Sequence, residues 1–194
     1  MATTAAATAP AITGRAQRGT IPAAATVATL NAALAAVQLL APAQPADGHH
    51  FARPSDYVIE VLFAASLLGA AYAVVLLGRS HRQLGRWGSF GTIAAGAYAL
   101  GTALIGISAV ATAARGQETL DVIQFPGIVI WLIAGLLMAI ATVRARVLPI
   151  VICLGFAVGL PATMALGHAG TLVLAAVWAA AAVALAAGRT RSSN

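Results

Sequence analysis

The chain reads as six apolar runs separated by short polar punctuation. The runs cover residues 21–41, 57–77, 89–113, 122–142, 148–166 and 170–187, each 18 to 25 residues long. At about 1.5 Å of rise per helical residue, such lengths match a hydrocarbon core roughly 30 Å thick. The pattern therefore predicts an all-α, polytopic membrane bundle of six transmembrane helices. Gly78, Gly116 and Gly188 lie just past three of the runs, where a helix C-cap favours a residue that tolerates a left-handed backbone. Ser55 and Asp56, after Pro54, and Thr119 and Asp121 are N-cap candidates for the second and fourth helices.

Composition agrees with the pattern. Hydrophobic residues make up 60% of the 194 positions, charged residues only 8%, and the mean hydropathy is +0.90. A soluble domain carries about a quarter charged residues, so the expectation is a multi-pass protein of the cell membrane with the lipid bilayer as its surroundings. A pI near 11.1 would suggest nucleic acid in a soluble chain. Here no basic stretch is interleaved with aromatics, and nucleic acid is set aside.

Residues 1–19 are rich in Ala and Thr, contain Pro10, Gly14 and Gly19, and show no apolar periodicity, which predicts a disordered N-terminal tail. The transmembrane domain is expected over 20–188, with 189–194 as a C-terminal tail. The first apolar run also fits a signal-peptide core, because Ala41-Pro42-Ala43 before Gln44 looks like a small-residue cleavage site. Its 21 residues exceed the usual h-region of about 7 to 15, which favours a retained helix.

Arginine, the only basic residue type besides histidine, sets the orientation. With a cytoplasmic N-terminus, that side receives Arg15, Arg18, Arg79, Arg82, Arg86, Arg144, Arg146, Arg189 and Arg191, and the far side only Arg53 and Arg115. Nine against two is a strong positive-inside signal, and it places both termini in the cytoplasm. All five acidic residues then fall on the outer side.

Packing signals are concentrated in the third run. Gly91, Gly96, Gly101 and Gly106 recur every five residues among alanines, so neighbouring backbones can approach closely, and this helix is expected at the centre of the bundle. Asn31 and Gln38, seven residues apart on the first helix, share a face that should turn inward for interhelical hydrogen bonds. A weak echo at an offset of 65 relates Asp56–Arg79 to Asp121–Arg144. Positive-inside topology alone produces much of it.

Polar chemistry gathers between Asp47 and Glu60, where three of the five acids stand with His49, His50 and Arg53. Asp56 and Glu60 are four apart, hence on one helix face, with Glu60 about 6 Å deeper. Only Glu60 lies well inside an apolar run, where desolvation favours the neutral acid, so it is the leading candidate for a catalytic or proton-binding group. Pairing with Arg53 is the structural alternative. Asp121 and Gln124 occupy the corresponding turn of the fourth helix, and His168 sits in the turn between the fifth and sixth. Asp56, Glu60, Asp121 and His168 are expected around one outer vestibule, with Tyr57, Gln124, Tyr98 and Trp131 as substrate-binding candidates.

Other chemistries find no support. Cys153 is the only cysteine, which excludes an internal disulfide. No His-x-x-x-His or Cys-x-x-Cys spacing marks a metal site, no Gly-x-Ser-x-Gly or phosphate loop appears, and no paired histidines lie within spans for haem. Neither metal nor cofactor is expected. His81 is expected in a cytoplasmic loop.

In size, alanine and arginine bias, and the His-His-Phe segment leading through Pro-Ser-Asp-Tyr into the second helix, the chain resembles small multi-spanning membrane proteins of actinomycete type. It also resembles, in size and acid placement, small membrane-bound terpenoid cyclases, which use carboxylic acids without metal to protonate an isoprenoid. That resemblance implies Glu60 as acid and Asp121 as partner. The chain departs from those cyclases in having six spans where they usually have seven. Two function classes follow. One is an intramembrane enzyme using carboxylic acid chemistry on an isoprenoid or lipid. The other is a non-catalytic accessory subunit that packs against a protein partner, or a small proton-coupled carrier.

Overall fold

The computed structural model describes residues 15–41, 51, 53–83, 85, 87–116, 122–146 and 148–191. Six helices follow one another: α1 (Arg15–Leu40), α2 (Pro54–Gln83), α3 (Gly88–Arg115), α4 (Gln124–Ala145), α5 (Ile150–Leu166) and α6 (His168–Arg191). No strand occurs among the described residues. Five helices are long and apolar enough to cross a bilayer, and α5 is shorter at 17 residues. At 1.5 Å per residue α5 spans about 25 Å, a little under a typical hydrocarbon core.

The helices run up and down, and each packs against its neighbours in sequence, while α1 also packs against α6. That last seam closes the six into a ring. No pair of helices on opposite sides of the ring comes into backbone contact among the described residues, so no helix occupies its centre. The expectation of a central third helix is corrected accordingly: α3 is the most deeply buried of the long spans, yet it sits in the ring wall between α2 and α4. Its burial comes from two extensive seams rather than from a central position.

Side chains fill much of the ring's interior. Tyr98, Trp131, Phe156 and Trp178, from α3, α4, α5 and α6, form a chain of edge-to-face ring contacts with centroids 5.5 to 6.0 Å apart. Such geometry sets the positive ring edge against a negative face. Met138 and Cys153 are fully buried in the same core. The outer surface is equally apolar, with Tyr72, Ile93, Leu100, Ile107, Leu136, Val151 and Val183 exposed. A helix that is hydrophobic on all sides belongs in a core or in lipid, and these helices meet the ring on one side only.

Helix ends differ from the apolar runs that announced them. α1 already begins at Arg15, inside the expected tail, and α6 continues to Arg191. Gly78 is no cap: α2 runs on to Gln83, and Gly78 packs near Ala95 and Trp87. Hydrophobicity ends where lipid would end, but the backbone hydrogen-bond ladder continues through arginines whose stems can lie along the bundle. The expected cap at Gly116 is present, at φ 65° with its N–H donating to the Thr112 carbonyl. At α4, Ile123 precedes the first turn without a side-chain cap, and Thr119 and Asp121 lie outside the described residues. His81 is also corrected: it lies within α2, 1% exposed, with its ring 4.7 Å from that of Trp87.

Candidate functional site

A partly open space remains where the ring is not plugged. It is a cavity of about 260 Å³ at the end of the bundle where α1, α3 and α5 finish, and all six helices contribute to its wall. This is the end that carries Asp56 and Glu60, here termed the acidic end; the other carries Arg79, Arg82, Arg144 and Arg146. Trp131, at one end of the aromatic chain, lines the cavity and forms its floor. Trp131 lies seven residues into α4, which puts the floor about 10 Å below the helix start. Gln38, Gln124, Met164 and Gly167 lie within a turn of helix ends and mark the mouth.

The polar lining is made of amides and hydroxyls. Asn31, 4% exposed, donates from Nδ2 to the carbonyl of Val27 one turn back, at 2.9 Å. That bond occupies a single donor of a side chain that has two, together with a carbonyl acceptor. The Thr171 hydroxyl stands 3.3 Å from Gln38 Oε1 across the α1–α6 seam and 3.3 Å from the Gly167 carbonyl of its own helix, and shares its one proton between these two acceptors. The expected inward face of Asn31 and Gln38 is thus present, with the interhelical bond made by Gln38 and not by Asn31. Ser66 and Thr163 turn their hydroxyl protons to carbonyls of their own helices, Phe63 and Leu160. Their lone pairs are left as acceptors. The Trp131 indole N–H is buried beside Tyr98 without a hydrogen bond of ordinary geometry. Among the described residues, no charged side chain lines the cavity.

Of the residues singled out from sequence, Gln124 and Trp131 line this cavity. Tyr98 lies next to it, fully buried against Trp131 and Phe156. Asp56 is 7% exposed and its carboxylate accepts from the Arg53 backbone N–H at 3.0 Å, closing the first turn of α2 as an acid three residues into a helix does in a capping box. Tyr57 is half exposed, packs edge-on against Phe51 and reaches over Gly116. His168 is exposed at the first turn of α6. Asp121 lies outside the described residues, as do Asp47, His49, His50 and Glu118.

Glu60 is half buried and engaged in an interaction of its own. It is absent from the cavity wall, yet it stands seven residues before Leu67, which lines the wall, and Asp56 stands eleven before it. Those intervals return to the same side of a helix, so both carboxylates lie on the lining side of α2, above Phe63.

Ser66, Thr163 and Thr171 were not legible in advance. Each is a hydroxyl within an apolar run, but so are Thr102 and Thr142, which are fully buried and bond to their own helix carbonyls away from the cavity. Nothing local distinguishes the two groups. No protein-family model, no curated protein and no solved structure matches this chain.

Proposed function

We propose that this protein is an integral membrane protein that binds a small, uncharged, amphipathic molecule in the cavity at the acidic end of its helix ring. The observation that carries the reading is the composition of the wall: five of the six helices contribute amides, hydroxyls and an indole, α3 contributes Ile105, and none of the described lining residues is charged. Such a lining hydrogen-bonds a neutral polar group and offers a charged one no counter-ion, so desolvation selects against ions. Size narrows the ligand further. An engineered apolar cavity of about 150 Å³ admits benzene, and drug-sized ligands occupy about 300 to 1,000 Å³, so a cavity of about 260 Å³ suits a molecule somewhat larger than one aromatic ring.

The test is to add indole or phenol, each an apolar ring with one hydrogen-bonding group, to the purified protein in detergent. A ligand that binds only the folded state raises stability by about 2.7 kcal/mol at a hundred times its Kd, which a thermal melt resolves. A melting temperature indifferent to every small neutral amphiphile tried, with a response to organic anions instead, would refute the reading.

A second reading is favoured by the place of Glu60 on the lining side of α2. In it Glu60, with Asp121, donates a proton to an isoprenoid or lipid substrate held in the same cavity, as the resemblance to terpenoid cyclases implies. Glu60→Gln separates the two. It retains shape and hydrogen bonding but removes the transferable proton, so under the acid reading turnover or proton-coupled uptake disappears while ligand binding persists. Under the binding reading Glu60→Gln leaves both binding and function close to wild type.

The proposed orientation puts the cavity mouth on the outer side and both termini in the cytoplasm, on the strength of the arginine asymmetry. Single cysteines test it in a Cys153→Ala background. His168 and Ser89 are exposed at opposite ends of the bundle. His168→Cys is expected to react with an impermeant maleimide on intact cells, and Ser89→Cys only after permeabilisation. The reverse pattern would turn the cavity toward the cytoplasm.

A further inference from the structure

At the basic end, a groove runs down the outer surface of the ring between α2 and α3. It consists of two adjoining hollows that share Arg82 and Thr92. The upper, about 450 Å³, is walled by Arg82, Gly85, Gly88, Ser89, Thr92 and Ile93. The lower, about 180 Å³, continues between the helices past Arg79 over Val75, Gly78, Ala95 and Gly96. The wall is therefore cationic at the helix ends and apolar further along the helices. That division matches a molecule with an anionic head and a hydrocarbon tail.

Three features sharpen the match. Arg79 and Arg82 are three apart, so they stand on one face of α2, and both are exposed. The described acids, Asp56 and Glu60, are at the opposite end of the same helix. Glu60 precedes Arg82 by 22 residues, about 33 Å along the axis, so neither carboxylate can neutralise the pair. The first turn of α3 adjoins them without a side-chain cap at Trp87, leaving backbone N–H groups that favour an anion. Finally, the lower hollow is open at Gly96, where an added Cβ would meet nothing within 4 Å, whereas at Gly78 it would touch Ala95.

We infer that this groove is a binding site for an anionic phospholipid, whose phosphate is held by Arg79, Arg82 and the start of α3 while one acyl chain lies along Gly96. The inference rests on the membrane reading, and it is independent of the cavity at the acidic end. A phosphodiester head brings the negative charge that the arginines lack. The tail covers apolar surface that no other helix covers. A free phosphate offers the same head chemistry and no use for the lower hollow, which is why the lipid is the occupant assigned.

Native mass spectrometry of the full chain in detergent tests this, with phosphatidylglycerol, phosphatidylcholine and inorganic phosphate as separate additives. The wild type is expected to retain phosphatidylglycerol in preference to phosphatidylcholine. Removing two interfacial arginines lowers affinity for an anionic lipid by about thirtyfold, so Arg79→Gln/Arg82→Gln should bind the two lipids alike. Gly96→Leu grows a side chain into the hollow from a Cβ position with no neighbour within 4 Å, and should weaken phosphatidylglycerol while leaving the melting temperature close to wild type. Equal retention of phosphatidylglycerol by wild type and the double arginine variant would overturn the site. Inorganic phosphate binding as well to Gly96→Leu as to wild type, and displacing the lipid from both, would replace the lipid with a free anion. A chain absent from the membrane fraction of cells would instead sink the membrane reading itself, and that result is read separately from lipid preference.

Discussion

Gly101→Ala is expected to destabilise the helix ring by about 1–3 kcal/mol, the usual cost of forcing an extra methyl group into a packed interior. The reason lies in what the methyl would strike. A Cβ on Gly101 would stand 2.6 Å from the Trp131 backbone nitrogen and 3.0 Å from the Gly127 carbonyl oxygen. Both are backbone atoms of α4 and neither can rotate aside. Ordinary contact requires a separation of about 3.5–4 Å, so α3 and α4 would have to part by roughly 1 Å over the seam. Gly127 sits on the facing side with the Gly101 carbonyl 3.2 Å from its own added Cβ, so the approach is mutual. Gly96→Ala is the control from the same five-residue series. Nothing lies within 4 Å of its added Cβ, and alanine exceeds glycine in helix propensity by about 1 kcal/mol. It should be neutral or slightly stabilising. Unfolding in detergent by a graded denaturing surfactant measures both, and equal behaviour of the two variants would show that the α3–α4 seam is not held by this contact.

Asn31→Leu is expected to do two opposite things. It should weaken binding of a neutral polar ligand by about tenfold, because a hydrogen bond to a buried amide contributes about 0.5–1.5 kcal/mol and an apolar replacement leaves the ligand's polar group unmatched. At the same time it should leave the empty protein as stable as wild type or more so. Leucine has a better helix propensity, shares asparagine's branching and number of heavy atoms, and removes an amide whose only described hydrogen bond is to its own helix, at Val27. Residues kept for binding commonly cost stability in this way. Thermal melts with and without indole measure both effects in one series. If Asn31→Leu lost stability and retained binding, the amide would be a structural element of the α1 wall and the ligand's polar group would be held elsewhere, by Gln38, Thr171 or Gln124.

Two members of the acidic cluster, Asp56 and Glu60, can be followed from the sequence into space. Asp56 and Glu60 share a helix side, as four-residue spacing requires. Asp56 accepts a backbone hydrogen bond from Arg53 and closes the start of α2, and the polar groups among the described lining residues of the cavity are amides, hydroxyls and an indole. In a sequence, charge stands out most, because an ionisable group in an apolar run carries the largest desolvation cost. Neutral polar groups carry a smaller cost each, and a set of them converging from different helices leaves no local trace.

Sequence alone determined the helices: their number, their rough spans, the apolar surface, and the placing of Arg79, Arg82, Arg144 and Arg146 at the end opposite Asp56 and Glu60. These properties are sums over neighbouring residues, since hydropathy, rise per residue and loop charge act within one helix or one loop. Tertiary structure decided closure of the ring through the α1–α6 seam, the wall position of α3, the burial of His81, and the meeting of Asn31, Ser66, Gln124, Thr163 and Thr171 around one cavity. Each of those depends on how far a helix is rotated about its own axis. Helices that are apolar on every side carry no stripe from which that rotation can be read. Close contacts such as Gly101 against Trp131 set it instead, and they involve residues 30 positions apart that become neighbours only when the backbones meet.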